Sequence, residues 1–262
     1  MQIEIVWGCS ADQKGLLVGH DLLSSNPVVL LCHGLLSSRE SATNRALADR
    51  FFAQGIATLR FDFVGHGSSA NPSDPLAPFT LTACLEQVKG AISCLKAEGA
   101  TQVGIVGSSF GGLVALLTAA RHPEMVAVGL KCPVVDYPPL WQARLGKGGI
   151  RHWRESGRLV FATHTGRASL PYQFYQDILS QDALQATTIS APVFIIHGDA
   201  DEDVPVEQSR ELFRGLRSPK DLVVLPGADH EFSKPEDFER MIDLLSTGMM
   251  KWLRPNEDRG VS

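Results

Sequence analysis

Short, almost wholly apolar runs alternate along the chain with longer stretches in which apolar residues recur every three or four positions. This is the pattern of a mostly parallel sheet with helices on both faces, the α/β class. Val28–Cys32 is apolar at every position, as expected of a strand buried on both sides. Further strands are predicted at Ala57–Phe61, Gln102–Val106, Val126–Cys132, Ala191–His197 and Leu222–Leu225. Ile3–Trp7 and Leu16–Leu22 read as early strands of an antiparallel hairpin. Helical periodicity runs through Ser41–Gln54, Leu81–Glu98, Phe110–Arg121, Glu207–Gly215 and Phe238–Leu253. Gly55 and Gly99 supply stop signals after the first two. His122-Pro123 ends the third, because the residue before proline resists helical geometry. The polar residues from Arg254 onward are expected to fray.

One stretch breaks the alternation. From Pro133 to about Ser190 the chain carries Pro, Gly, Trp, Tyr and Arg without a clear strand, too long for a loop between two core strands. The expected organisation is a core made of residues 1–132 and 191–262, with 133–190 as an inserted segment. Neither internal repeats nor low-complexity tracts interrupt this plan.

Composition narrows the setting. The 262 residues suit one large domain that buries its own core without a disulfide or metal staple. A net charge of −5 with no basic block argues against nucleic acid or an anionic membrane as partner. The five cysteines (Cys9, Cys32, Cys84, Cys94, Cys132) include no C-x-x-C pair, which disfavours a disulfide framework and fits a reducing compartment. The opening residues lack the basic and apolar regions of a signal peptide, and no apolar run has the length of a membrane span. A soluble, cytoplasmic protein is the expectation.

Chemistry enters at Gly107-Ser108-Ser109-Phe110-Gly111, a G-x-S-x-G motif. It follows the apolar run Val103–Val106 and opens the helix at Phe110, the strand–turn–helix setting that a nucleophile elbow requires. The central position makes Ser109 the candidate nucleophile, with Ser108 the alternative. A serine hydroxyl needs a base to take its proton, and an acid usually orients that base. Downstream, His197-Gly198-Asp199-Ala200-Asp201-Glu202-Asp203 crowds four acids into one loop, and spacing alone does not choose between Asp199, Asp201 and Asp203. Of the eight histidines, only His230 lies both after that loop and at the end of a predicted core strand, so it is the candidate base. Backbone N–H groups usually bind the oxyanion of acyl transfer. Phe110, directly after the nucleophile, and Leu35, in the His33-Gly34-Leu35-Leu36 loop, are the candidate donors. His33 reads as a residue that holds this loop.

Taken together, His33-Gly34, Arg60-Phe61-Asp62 with Gly65-His66-Gly67-x-Ser69, Gly107-x-Ser109-x-Gly111, Gly198-x-x-Asp201-x-x-Val204-Pro205 and Gly227-x-x-His230 resemble the α/β-hydrolase superfamily across nearly the whole chain. Within it, the sequence is similar to feruloyl and cinnamoyl esterases and monoacylglycerol lipases. The resemblance places the acid at Asp201, through the flanking Gly198 and Val204-Pro205. It gives the Asp62–Gly67 loop a structural role and makes residues 133–190 a cap over the site. Trp141, Trp153, Tyr172 and Tyr175 are then candidate substrate contacts, and Phe161 and Phe174 could join them. Arg144, Arg151 and Arg154 read as surface residues. The implied activity is hydrolysis of a small or medium carboxylic ester through an acyl-enzyme, with no metal or organic cofactor. The rivals are a thioesterase, an acyl-peptide or amide hydrolase, and a non-catalytic ligand-binding protein on the same fold.

Overall fold

A run of five apolar residues can be shielded on both sides only inside a sheet that carries helices on both faces, and Val28–Cys32 lies at such a place. The structure, a computed structural model, describes residues 2–6, 14–19, 27–70, 76–163, 166–181 and 187–253. In chain order the first half comprises β1 (Gln2–Val6), β2 (Lys14–Val18), β3 (Val28–Cys32), α1 (Ala42–Ala53), β4 (Ala57–Phe61), α2 (Leu81–Ala97), β5 (Val103–Ser108) and α3 (Phe110–Arg121). The second comprises β6 (Val128–Lys131), α4 (Tyr137–Ser156), β7 (Arg158–Thr163), β8 (Gly166–Pro171), α5 (Tyr172–Leu179), β9 (Val193–Gly198), α6 (Val206–Gly215), β10 (Lys220–Leu225) and α7 (Pro235–Leu253).

Eight strands form one sheet in the order β1-β2-β4-β3-β5-β6-β9-β10. β2 runs antiparallel to β1 and β4, and the remaining pairs are parallel. The early strands do pair as an antiparallel hairpin. Their predicted outer ends, Trp7 and His20–Leu22, lie outside the described residues, as does the chain from Arg254. The alternation of a strand divides the core in two. Val29 and Leu31 of β3 join Leu47 and Phe51 of α1 and Met241, Leu245 and Met249 of α7. Val28 and Leu30 face the other way, with Val88 and Ile92 of α2 and Val114 and Leu117 of α3.

Helix ends follow local chemistry. The Ser41 and Thr80 hydroxyls accept from the N–H groups of Asn44 and Ala83, capping α1 and α2. Gly55 and Gly99 follow their C-termini with positive φ. α7 begins at Pro235, earlier than the periodicity from Phe238 suggests, because proline suits the first helical turn.

The stretch between β6 and β9 corrects one expectation. Instead of lacking strands, it contains an antiparallel two-stranded sheet, β7–β8, flanked by α4 and α5. Val160 on β7 is exposed, so no buried apolar run marks the strand in the sequence. α4 is broken at Gly146, where φ is 62° and ψ is 175°. The Asp177 carboxylate on α5 accepts from the Thr82 N–H and hydroxyl at 2.7 and 2.6 Å, tying the inserted elements to α2.

Candidate active site

The chain leaves β3 toward β4 on one side, whereas β5 lies on the other, so the strand order reverses beside β3. Crevices at the carboxyl ends of strands around such a reversal are where open α/β sheets bind ligands. The residues singled out by sequence collect there: Leu35 after β3, Ser109 after β5, Asp201 after β9 and His230 after β10. Ser109, His230, Gly34 and Leu35 line one cavity of about 590 Å³.

Ser109 occupies a strained turn, with φ 53° and ψ −116°. Close approach accounts for the flanking glycines. A Cβ at Gly107 would stand 2.1 Å from the Gly111 carbonyl oxygen, and one at Gly111 would stand 2.3 Å from the Cys32 carbonyl oxygen. The turn is held by the Ser109 N–H donating to Lys131 O at 3.0 Å and by the Gly112 and Val134 N–H groups donating to Ser109 O. Among the described residues, the non-glycine positions with positive φ are Leu36, Ser109, Cys132 and Phe232. They follow β3, β5, β6 and β10, so the backbone strain is concentrated around this crevice.

His230 Nδ1–H donates to Asp201 Oδ2 at 2.6 Å. The same carboxylate accepts from the N–H groups of Val204 and Asp203 at 2.8 and 2.9 Å. A third contact was not anticipated: His197 Nε2 stands 3.1 Å from Asp201 Oδ2 and 2.9 Å from Val204 O, while its Nδ1 meets the Ser209 hydroxyl at 2.7 Å. Burial pushes the Asp201 carboxyl up. The hydrogen bonds from His197 and His230 more than reverse that push and hold it well below the usual carboxylate range. Its neighbours in the acidic loop do other work. Asp199 accepts from the Gly227 N–H, and Asp203 pairs with Arg144 of α4 at 2.6 Å on the cavity rim.

Gly34 lies against Ser109, since a Cβ there would be 3.5 Å from the Ser109 Cβ. Two buried histidines fix this loop. The Phe63 N–H donates to His33 Nε2, so the His33 Nδ1–H donates to Gly34 O at 2.7 Å. The Leu36 N–H donates to His66 Nε2 at 3.1 Å, and His66 Nδ1–H donates to Val64 O at 3.2 Å. Both rings are therefore neutral. Burial, reinforced by the neighbouring His66, pushes His33 down to about 3, and burial pushes His66 down to about 4.

A histidine kept neutral on folding binds a proton in the unfolded chain first. Its contribution to stability is full above its unfolded value near 6.5 and is lost as pH falls toward the folded value. Chemical denaturation at about pH 7 and about pH 4.5 is expected to show lower stability at the acid end, with His66 responsible for on the order of 2 kcal/mol. The drop should be smaller in His66→Gln. An equal drop in wild type and variant would contradict this origin.

Of the proposed aromatic contacts, Trp141 lines the cavity, joined by Tyr137 and Phe161. Trp153, Tyr172 and Tyr175 are not among its lining residues and instead pack on one another behind it. Trp153 is fully buried and donates its indole N–H to Leu170 O, which takes its only polar atom out of reach of a ligand. Phe174 stacks on Phe79. Arg151 and Arg154 are exposed.

Sequence reading passed over Lys131. It is 2% exposed at the end of β6, yet it lines the cavity. A single cation within the run Val128–Cys132 was the available signal. Cys132, Asp201 and His230 bring donor atoms within 4.8 Å of one another, a spacing compatible with a metal. Burial pushes the Cys132 thiol far up, which keeps it protonated, and the Asp201–His230 pair is already hydrogen-bonded. The trio therefore works as a hydrogen-bonded network, a poor ligand set.

This fold and crevice define a hydrolase scaffold, and the chain belongs to the alpha/beta hydrolase family, whose profile matches residues 29–241. Among relatives, the mitochondrial palmitoyl-protein thioesterase ABHD10 of Rattus norvegicus is 27% identical over 244 residues, covering 86% of this chain and 78% of its own. Among solved structures, a putative hydrolase from Agrobacterium vitis S4 superposes with a TM-score of 0.81 at 22% identity, over 95% of this chain and 98% of that one. Est1E from Butyrivibrio proteoclasticus gives 0.76 at 22% identity, over 95% and 98%. No helix among the described residues is long and apolar enough to cross a membrane.

Proposed function

We propose that the protein hydrolyses carboxylic esters through an acyl-enzyme on Ser109. The observation that carries this reading is the 2.6 Å His230–Asp201 hydrogen bond, in a histidine that shares one cavity with a serine on a strained strand-to-helix turn. His230 Nε2 accepts the Ser109 proton as Oγ bonds to the ester carbonyl carbon. Asp201 fixes the ring tautomer and stabilises the imidazolium. The tetrahedral oxyanion is bound by the N–H groups of Leu35 and Phe110. The latter is free for this because the first N–H groups of a helix have no intrahelical acceptor. Collapse breaks the bond to the leaving oxygen, which takes the proton from His230. Water then attacks the acyl-enzyme by the same route and releases the acid.

In this reading residues 133–190 form a cap over a core of 1–132 and 191–262. The cap supplies the apolar wall of the cavity through Tyr137, Leu140, Trp141, Leu145 and Phe161. A small or medium acyl group suits that wall. Steady-state hydrolysis of p-nitrophenyl esters from acetate to palmitate tests the proposal. Turnover with an optimum below the longest chains is expected, and no turnover of any ester would count against it. The thioesterase relative supports thioesters as a second substrate class, which acyl-thioester turnover would reveal.

A further inference from the structure

The cavity has a chemically mixed lining. Beside the apolar wall just described it carries polar side chains, among them Ser37, Ser41, Thr43, Lys131 and Glu231, and the Arg144–Asp203 ion pair. An ammonium taken out of water needs compensating partners. Lys131, 2% exposed, has one hydrogen-bonding partner among the described residues, the Glu231 carboxylate at 3.4 Å. That separation exceeds the roughly 2.7–2.9 Å of a well-made charge-assisted bond. The Glu231 side chain is 75% exposed, so it keeps its own hydration and can turn away into solvent. The Phe232 ring, 5.6 Å from Lys131 Nζ, adds only a cation–π contact. The lysine thus offers unmet donor capacity to a group that enters the cavity beside it, and Glu231 shows that a carboxylate fits there.

We propose that Lys131 is a specificity residue that binds a carboxylate on the leaving group of the ester, displacing Glu231. This inference rests on the serine-hydrolase reading. It places the carboxylate on the leaving side because the departing oxygen takes its proton from His230, and Glu231 is the next residue along the chain. The substrate class is an ester with an apolar acyl group in the cap and an anionic alcohol or phenol fragment toward Lys131. No covalent step beyond the hydrolysis already written is required.

The test compares 4-butyryloxybenzoate with its methyl ester, which has the same acyl group and a neutral leaving fragment. The readout is the ratio of kcat/KM, anionic over neutral, in wild type, Lys131→Met and Glu231→Gln. A hydrogen bond to a charged group corresponds to a ratio about 10- to 100-fold lower in Lys131→Met. Glu231→Gln removes the resident carboxylate and should raise the ratio. Because Glu231 is a surface residue, this second arm stands even if Lys131→Met fails to fold. An unchanged ratio in Glu231→Gln and in folded Lys131→Met, with the neutral ester still hydrolysed, would overturn the carboxylate site alone. If wild type hydrolysed neither these esters nor any p-nitrophenyl ester or acyl thioester, the serine-hydrolase reading would fall and the site with it.

Discussion

Ser109→Ala is expected to lower kcat for any ester substrate by roughly 10³- to 10⁶-fold, the range seen when a triad nucleophile is removed. The substitution deletes one oxygen and leaves the turn intact. The bonds that hold the elbow run through the backbone of residue 109, to Lys131 O and from Gly112 and Val134 N–H, and alanine keeps all three. Stability should therefore change little, and a thermal melt separates lost chemistry from lost fold. Ser108 is the informative control. It also lines the cavity, but it ends β5 in register with Lys131 and does not occupy the strained position. Ser108→Ala is expected to retain activity within a few-fold. Loss of turnover in Ser108→Ala, with Ser109→Ala active, would move the nucleophile by one residue.

Asp201→Asn is expected to reduce kcat by about 10³- to 10⁴-fold with a smaller effect on KM, as in other triads whose acid becomes an amide. The carboxylate accepts from His230, His197 and two backbone N–H groups at once. An amide has one oxygen to offer, and its NH₂ must face one of these donors. The arrangement best able to relieve that clash reverses the His230 tautomer and removes the base from Ser109. Asp203→Asn should stay within a few-fold of wild type, because Asp203 faces Arg144 at the rim. Steady-state kinetics on the two variants decides between Asp201 and Asp203. Equal losses in both would contradict the assignment to Asp201.

Much of this architecture can be read from the chain because burial leaves a simple mark. The inner strands have no polar face, so Val28–Cys32 and Val193–Ile196 declare themselves as apolar runs. The elbow is legible because Gly107 and Gly111 have no room for a Cβ and the serine between them sits at a fixed offset. The hairpin of the inserted segment leaves no such mark. Arg158, Arg167 and the exposed Val160 interrupt the pattern that a buried face would print. α4 is concealed by Pro138 and Pro139 in its first turn and by Gly146, Gly148 and Gly149 within it. The choice among the acids and the position of Lys131 depend on contacts between residues brought together by separate strands. Lys131 and Glu231 are 100 residues apart in the chain. Nothing in local propensity encodes such a meeting.

The central claim is that Ser109 becomes covalently acylated. The most direct measurement is stoichiometric labelling with a fluorophosphonate, which phosphonylates activated serines with loss of fluoride, followed by tandem mass spectrometry of the labelled peptide. One equivalent on the Ser109 hydroxyl, absent from His230→Ala and Ser109→Ala, is the predicted result. Labelling at another residue, or unlabelled protein that continues to turn over esters, would contradict the mechanism.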